Sequence, residues 1–340
     1  MSFRFEFLPY RAALRQPLLT AHGAMAAREG LIVRLSAEDG RTALGEIAPL
    51  PVWGSETLAA ATAFCTALPP SLDEAAILTI PDHLPCCQFA FENALATLRH
   101  PNAPALVRTF AIAALLPAGP AVLAALAAAA ARGHTCFKWK VGVGSAAEEI
   151  GLLGRVLEHL PAGSSLRLDA NGAWDVPTAG AWLEACEGRP IEFIEQPFPP
   201  GHEEPVIRLA HEFTTRLALD ESVACRADLV RWLDFGWPGI YVIKPSLAGS
   251  PSRLLHLLEG YEAEAVFSSA LETPVGARAA LQFAARASHD HRALGFGTIG
   301  CFADEHLNLP DPGPTLSTKW LSRLPTDPVW EHLSNALHAA

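Results

Sequence analysis

Between residues 136 and 244 one pattern repeats: a short run of apolar or alternating residues closes on a charged side chain, then a longer stretch follows with helical spacing. FKWKVG carries Lys138 and Lys140, LRLDANG reaches Asp169, FIEQP Glu195, LALDES Asp220 and YVIKPS Lys244, with 24 to 29 residues from each charge to the next. One strand and one helix fill that period, which is the repeat of a parallel β/α barrel. Eight strands are predicted, over residues 110–116, 136–141, 165–170, 192–196, 217–221, 239–244, 264–269 and 293–296. Helices such as 146–160 and 178–186 lie between them, and the alanine-rich run 121–131 reads as a tightly packed barrel helix.

The first hundred residues follow another pattern. Residues 3–8, 30–35 (GLIVRL) and 41–47 read as strands, and after the turn-rich APLPVWGSET, residues 55–68 and 88–98 read as helices, the first with Ser55 as its cap. The reading is an α+β capping domain over 1–100, a boundary at the PNAP of 101–104, and a catalytic barrel over 101–300. The Pro-, Asp- and Leu-rich tail 301–340 is expected to pack back on the capping domain.

Composition narrows the function. The chain has 340 residues against the roughly 250 of a typical barrel, which leaves room for the second domain. A formal charge of -11 argues against nucleic acid and anionic membranes as partners, and leaves open a small anion held by a few local cations. The opening MSFRFEFLPYRAALRQPL lacks the basic-then-apolar order of a secretory signal, so a cytoplasmic protein is expected. No run approaches the roughly 20 apolar residues of a membrane span. Seven scattered cysteines without a CxxC fit reduced thiols, and HExxH, GxGxxG and P-loop patterns are absent.

Barrel enzymes place their chemistry where strands end. Alternation puts Lys138 and Lys140 on one face of their strand and Phe137, Trp139 and Val141 on the other. Alone, that pair reads equally well as two solvated lysines. Asp169, Glu195 and Asp220 then add three carboxylates at three consecutive strand ends; each alone reads as a cap or an ion pair, but three together repel unless a cation lies between them. An oxygen-only set selects a hard ion, Mg²⁺ or Mn²⁺. Lys138 and Lys140 on the second strand and Lys244 on the sixth stand four strands apart in a ring of eight, on opposite sides of that ion. Such a site suits removal of the proton next to a carboxylate, with the metal stabilising the enediolate and a lysine acting as base.

With these residues in place, KxK, DAN, EQP, DES and KPS together resemble the enolase superfamily and its muconate lactonizing subgroup, whose lysine-plus-metal chemistry is known. The resemblance implies a (β/α)7β-type modified TIM barrel, an α/β fold. It implies Asp169, Glu195 and Asp220 as metal ligands, with Lys140 and Lys244 as the catalytic lysines. GEIAPLPVWGSETL (45–58) and SSALETPVG (268–276) are similar to segments of the o-succinylbenzoate synthase family of menaquinone biosynthesis. Those enzymes dehydrate 2-succinyl-6-hydroxy-2,4-cyclohexadiene-1-carboxylate, a small dianionic carboxylate, by syn elimination. N-acylamino acid racemases and dipeptide epimerases share the lysine pair and stand as the alternative, and a non-catalytic barrel is the reading from another class.

The same resemblance implies that Asn171 supports the metal site, that Lys138 and Arg167 help to bind substrate, and that Ser268 and Ser269 contact a substrate carboxylate. It also implies a loop over 19–28 that closes on the pocket. Arg167 reads equally as a salt-bridging barrel residue, and the two serines as a cap. For His22, Trp53 and Glu272, packing or solvation ranks ahead of function.

Overall fold

The computed structural model describes residues 2–20, 23–100, 108–288, 292–298, 300–321 and 324–339. Strands β1 (Ser2–Thr20) and β2 (Gly23–Ala37) pair antiparallel along most of their length, with one irregularity between Ala13 and Leu18. β3 (Thr42–Ile47) and β4 (Ser71–Asp73) complete a sheet in the order β3-β2-β1-β4. β1 and β2 run far beyond the predicted 3–8 and 30–35. The added length includes AALRQPLLT and GAMAARE, whose apolar residues are mostly small; the two stretches pair across the hairpin, and Ala13 and Arg15 also bond to the chain at 301–303.

Both faces of β2 are covered, which explains why GLIVRL reads as a nearly continuous apolar run. Leu31, Val33 and Leu35 pack in one core with Ala90, Phe91, Ala94 and Leu95 of α3 (Pro85–Arg99), which follows α1 (Leu58–Ala67) and α2 (Glu74–Leu78). On the other face, Ile32 joins Tyr10 and Ala12 in a core with Phe302, Val329, Trp330 and Leu333. Gly45 is required where α3 crosses β3, because a Cβ there would stand 2.1 Å from the Ala90 carbonyl oxygen. Thr57, not Ser55, caps α1 by accepting from Ala60 N at 3.1 Å; the Ser55 hydroxyl accepts from Leu50 N and closes the preceding turn.

The predicted first barrel strand divides in two. β5 (Thr109–Ala111) turns aside to pair antiparallel with β13 (Thr315–Ser317), and β6 (Ala114–Leu116) enters the barrel. There it is followed in order by β7 (Cys136–Lys140), β8 (Ser165–Asp169), β9 (Ile191–Glu195), β10 (Leu217–Leu219), β11 (Ile240–Ile243) and β12 (Ala265–Phe267), all parallel. The eighth strand expected over 293–296 is reduced to two bridging residues. Leu294 pairs with Ile112 and Gly295 with Ser268, and these close the ring. The result is the expected (β/α)7β barrel with an N-terminal α+β layer. The predicted boundary at 101–104 lies outside the described residues.

Helices α4 (Val122–Ala131), α5 (Ala146–His159), α6 (Val176–Cys186), α7 (Glu203–Glu212), α8 (Arg226–Asp234), α9 (Pro251–Gly260) and α10 (Pro274–Ala287) alternate with the strands. Trp139 points outward from β7 and meets Trp182 of α6 edge-on at 6.1 Å, and Trp174 stacks on Trp182 at 5.2 Å. Inside the barrel, Phe193, Ala218, Ile240, Val242 and Val266 form one apolar layer. No described helix is long and apolar enough to cross a membrane.

After residue 300 the chain runs beside β1: Arg15 N donates to Cys301 O and Ala303 N to Ala13 O, both at 2.8 Å. Beyond α11 (Thr318–Leu321), α12 (Asp327–Ala339) covers that side of the sheet with Val329, Trp330 and Leu333.

The capping layer meets the barrel through Glu46, which is 1% exposed. Its carboxylate accepts from Tyr10 Oη at 2.6 Å, Thr273 N at 3.0 Å, Gly276 N at 2.8 Å and Thr273 Oγ1, so it closes the N-terminus of α10 from another part of the chain. Free N–H groups and the helix dipole favour an anion there. Replacing Glu46 by Ala leaves these buried donors without an acceptor, and about 3 kcal/mol of stability should be lost, with partial recovery in Glu46→Gln. Urea unfolding followed by circular dichroism measures this, and an unchanged midpoint in Glu46→Ala would show that the carboxylate is not the joint.

Candidate active site

The strand register places the charged ends side by side. Lys140 pairs with Asp169 across β7 and β8, and Asp169 with Glu195 across β8 and β9. Ala218 of β10 pairs with Glu195, so Asp220, two residues on, shares that inward face. Lys244 follows β11 directly. The structure therefore brings the five residues predicted as ligands and catalytic lysines to one mouth of the barrel.

The buried charges there are tightly paired. Lys138 Nζ lies 2.7 Å from Glu195 Oε1 and 3.0 Å from Asp169 Oδ2, and Lys244 Nζ pairs with Asp220 Oδ1. Burial, and then the charge of Asp169, push the Glu195 carboxyl up to about 8, against the pull of Lys138. Asp220 is likewise raised, first by burial and in spite of Lys244. Burial opposes the charge on Lys138, yet Asp169, Glu195 and Asp220 together hold its ammonium above the ordinary lysine range. Left to its own groups, the cluster retains protons that exposed carboxylates would have lost.

The loops leaving the strands are strained where they frame this mouth. Asn171, Gln196 and Leu271 are non-glycine residues with left-handed φ of 46°, 40° and 63°. Such residues cost about 1–3 kcal/mol each and persist where surroundings enforce them. For Gln196 the enforcement is visible. Its Oε1 accepts from Asp220 N at 2.9 Å and Ser222 N at 3.2 Å, while Nε2 donates to Phe198 O and Ser222 Oγ at 2.7 Å each. One amide thus fixes the ends of β9 and β10 to each other.

Asn171 stands beside the carboxylates: its N donates to Asp169 Oδ1 and its Nδ2 to Glu221 Oε1, both at 3.2 Å. Glu221 is the residue that the sequence reading missed, although a second acid directly after the strand-end Asp220 was its signal. Trp53, ranked as packing, comes from the capping layer to lie over Lys244, with the ammonium 3.8 Å from its ring centroid.

Other expectations need correction. Arg167 points toward the opposite end of the barrel, where Nε lies 2.8 Å from Glu192 Oε2 near the start of β9; its guanidinium is 1% exposed and committed to that pair. Ser268 donates its hydroxyl proton to Gly295 O at 3.0 Å and Ser269 to Glu272 Oε2 at 2.7 Å. A hydroxyl has one proton, and here both protons serve the turn after β12. Glu272 is the hub of that turn, also accepting from Ala270 N and the Ser246 hydroxyl. In the expected closing loop 19–28, residues 23–28 belong to β2, and Arg28 is buried with its guanidinium on the carbonyls of Ala48 and Pro49. His22 lies outside the described residues.

The donor set fits a divalent ion. Three buried carboxylates converge from adjacent strand ends, and two further buried acceptors, Asn171 Oδ1 and Glu221 Oε2, have no hydrogen-bond partner.

Known proteins share this architecture. The family model "Enolase C-terminal domain-like" matches residues 121–311, and "MenC, N-terminal domain" matches residues 4–98. The chain is 45% identical to a curated o-succinylbenzoate synthase of Thermosynechococcus vestitus over 86% of its own length and 92% of that protein. A crystal structure of o-succinylbenzoate synthase from Thermosynechococcus elongatus, with Mg in the active site, superposes with a TM-score of 0.81 at 43% identity, covering 86% of this chain and 92% of that one. The L-Ala-D/L-Glu epimerase of Bacillus subtilis has the same fold at 22% identity, with a TM-score of 0.80 over 92% and 95% of the two chains.

A carboxyl held at about 8 must lose its proton before it can hold a cation, so Mg²⁺ should displace protons at pH 7 and bind more weakly as pH falls below 8. Titration calorimetry in buffers of different ionisation enthalpy counts those protons. A count of zero at pH 7 would contradict the raised Glu195.

Proposed function

The chain belongs to the o-succinylbenzoate synthase family of the enolase superfamily, and from that premise we propose that the barrel mouth is the active site of a hydro-lyase. It removes water from 2-succinyl-6-hydroxy-2,4-cyclohexadiene-1-carboxylate to give 2-succinylbenzoate, a step of menaquinone biosynthesis. The observation that carries the reading is the joining of three buried carboxylates and the lysines of both barrel sides at one mouth, on a chain 45% identical to a curated synthase.

The substrate loses a proton from the carbon beside its carboxylate and a hydroxide from the neighbouring carbon, and the ring becomes aromatic. Asp169, Glu195 and Asp220 are proposed to hold Mg²⁺, or Mn²⁺ in its place. When bound, the ion supplies positive charge against the second negative charge that develops on the substrate carboxylate. Lys140 is the proposed base, placed beside Asp169 by the strand register; the proton that it takes at Nζ can return to the departing hydroxide on the same face of the ring. Lys244, steadied by the Trp53 ring, faces it from β11 as a second cation. Lys138 neutralises Asp169 and Glu195 and so keeps the carboxylates together.

Lys140→Ala should lower kcat by at least about 1,000-fold, the scale of losing a general base with its positioning, while the circular dichroism spectrum stays unchanged. Loss of the diene absorbance in the presence of Mg²⁺, with a chelator control, is the measurement. Metal-independent turnover would remove the metal from the reading, and turnover that survives the substitution would remove the assignment of the base.

A further inference from the structure

The three carboxylates do not use all the acceptor oxygen at the barrel mouth. Glu221, next to Asp220, accepts from the Asn171 side chain, Nδ2 to Oε1; among the described residues its buried Oε2 has no partner, and neither has Asn171 Oδ1. Two buried acceptors beside each other, each lacking a donor, are costly in a protein interior. A structural acid normally has that cost met by N–H groups, as Glu46 and Glu56 do: Glu56 accepts from Cys86 N at 3.1 Å and Cys87 N at 2.9 Å.

The backbone that carries Glu221 is held in place. Gln196 Oε1 holds the backbone N–H groups on both sides of it, those of Asp220 and Ser222. Asn171 is held in its left-handed conformation two residues beyond Asp169, with its own N–H on the Asp169 carboxylate. The donors that this pair lacks must come from whatever the mouth binds. A hard divalent ion with three protein carboxylates keeps other positions for water, and water on a cation turns its hydrogens outward.

We infer that Glu221 Oε2 and Asn171 Oδ1 accept hydrogen bonds from water on the bound cation, which makes them positioning residues for the ion's hydration shell. The inference rests on Asp169, Glu195 and Asp220 as ligands. It adds a fourth carboxylate whose task is to orient water rather than to touch the metal or the substrate. In formal charge, the four acids and the three lysines 138, 140 and 244 sum to -1, which a divalent ion turns to +1. Removing Glu221 therefore weakens cation binding and also relieves like-charge crowding when no cation is present.

The test uses the full chain without substrate. Free Mn²⁺ is followed by electron paramagnetic resonance during titration, and thermal melting is compared in chelator and in saturating Mn²⁺. Glu221→Gln should bind Mn²⁺ at least tenfold more weakly, yet melt in chelator at the same or a higher temperature than the unsubstituted protein. Asn171→Gly, which removes the other acceptor and suits the left-handed φ of this position, should weaken binding severalfold in the same direction. An affinity within twofold in both variants would overturn the inference, as would a Glu221→Gln protein destabilised equally with and without the ion, since that marks a purely structural acid. Failure of the unsubstituted protein to bind Mn²⁺ would instead remove the ligand assignment on which the inference stands.

Discussion

Carboxylates gathered in one buried place repel one another, and much of this structure serves to hold such a group together. Asp169, Glu195 and Asp220 come from consecutive strands whose register leaves them no choice of neighbour. Lysines answer part of the charge from inside the ring, and one glutamine amide ties two of the loops. A buried ion pair contributes little net stability once desolvation is counted. The arrangement is better understood as stored affinity for a cation, maintained by a barrel whose apolar layers supply the folding energy.

The barrel was legible because its repeat is periodic and its strand ends carry charge in a region that is otherwise apolar. Alternation alone placed Lys138 inward and Trp139 outward. The parts that stayed hidden depend on where side chains reach rather than where they start. Arg167 lies on the inward face, but its long side chain turns to Glu192 at the far end. Ser268 and Ser269 stand near the mouth with their protons already given to neighbours. Glu221 was passed over because adjacent acids at a strand end cannot both be assigned from spacing. The outer part of the β1–β2 hairpin is hard to read because its partners, such as the chain at 301–303, are distant in sequence and its apolar residues are mostly small.

The two segments that resemble the synthase family, 45–58 and 268–276, are far apart in sequence yet meet in space. Glu46 of the first accepts from Thr273 and Gly276 of the second, and Trp53 of the first reaches Lys244. Arg28, from β2, adds its hold on the Ala48 and Pro49 carbonyls within the first segment. Their common position explains why a joint between layers and a wall of the active site can share one stretch of chain: the docking that closes α10 also brings the indole to the lysine.

The core formed by Tyr10, Ala12 and Ile32 with Phe302, Val329, Trp330 and Leu333 unites strands β1 and β2 with helix α12. On a ribosome, the sheet built from β1 and β2 emerges before the barrel with that face bare, and its cover, from Phe302 to Leu333, follows the barrel. That face of the sheet must therefore wait for residues made after the barrel, and until they arrive the nascent chain carries an exposed apolar sheet face of the kind that chaperones recognise.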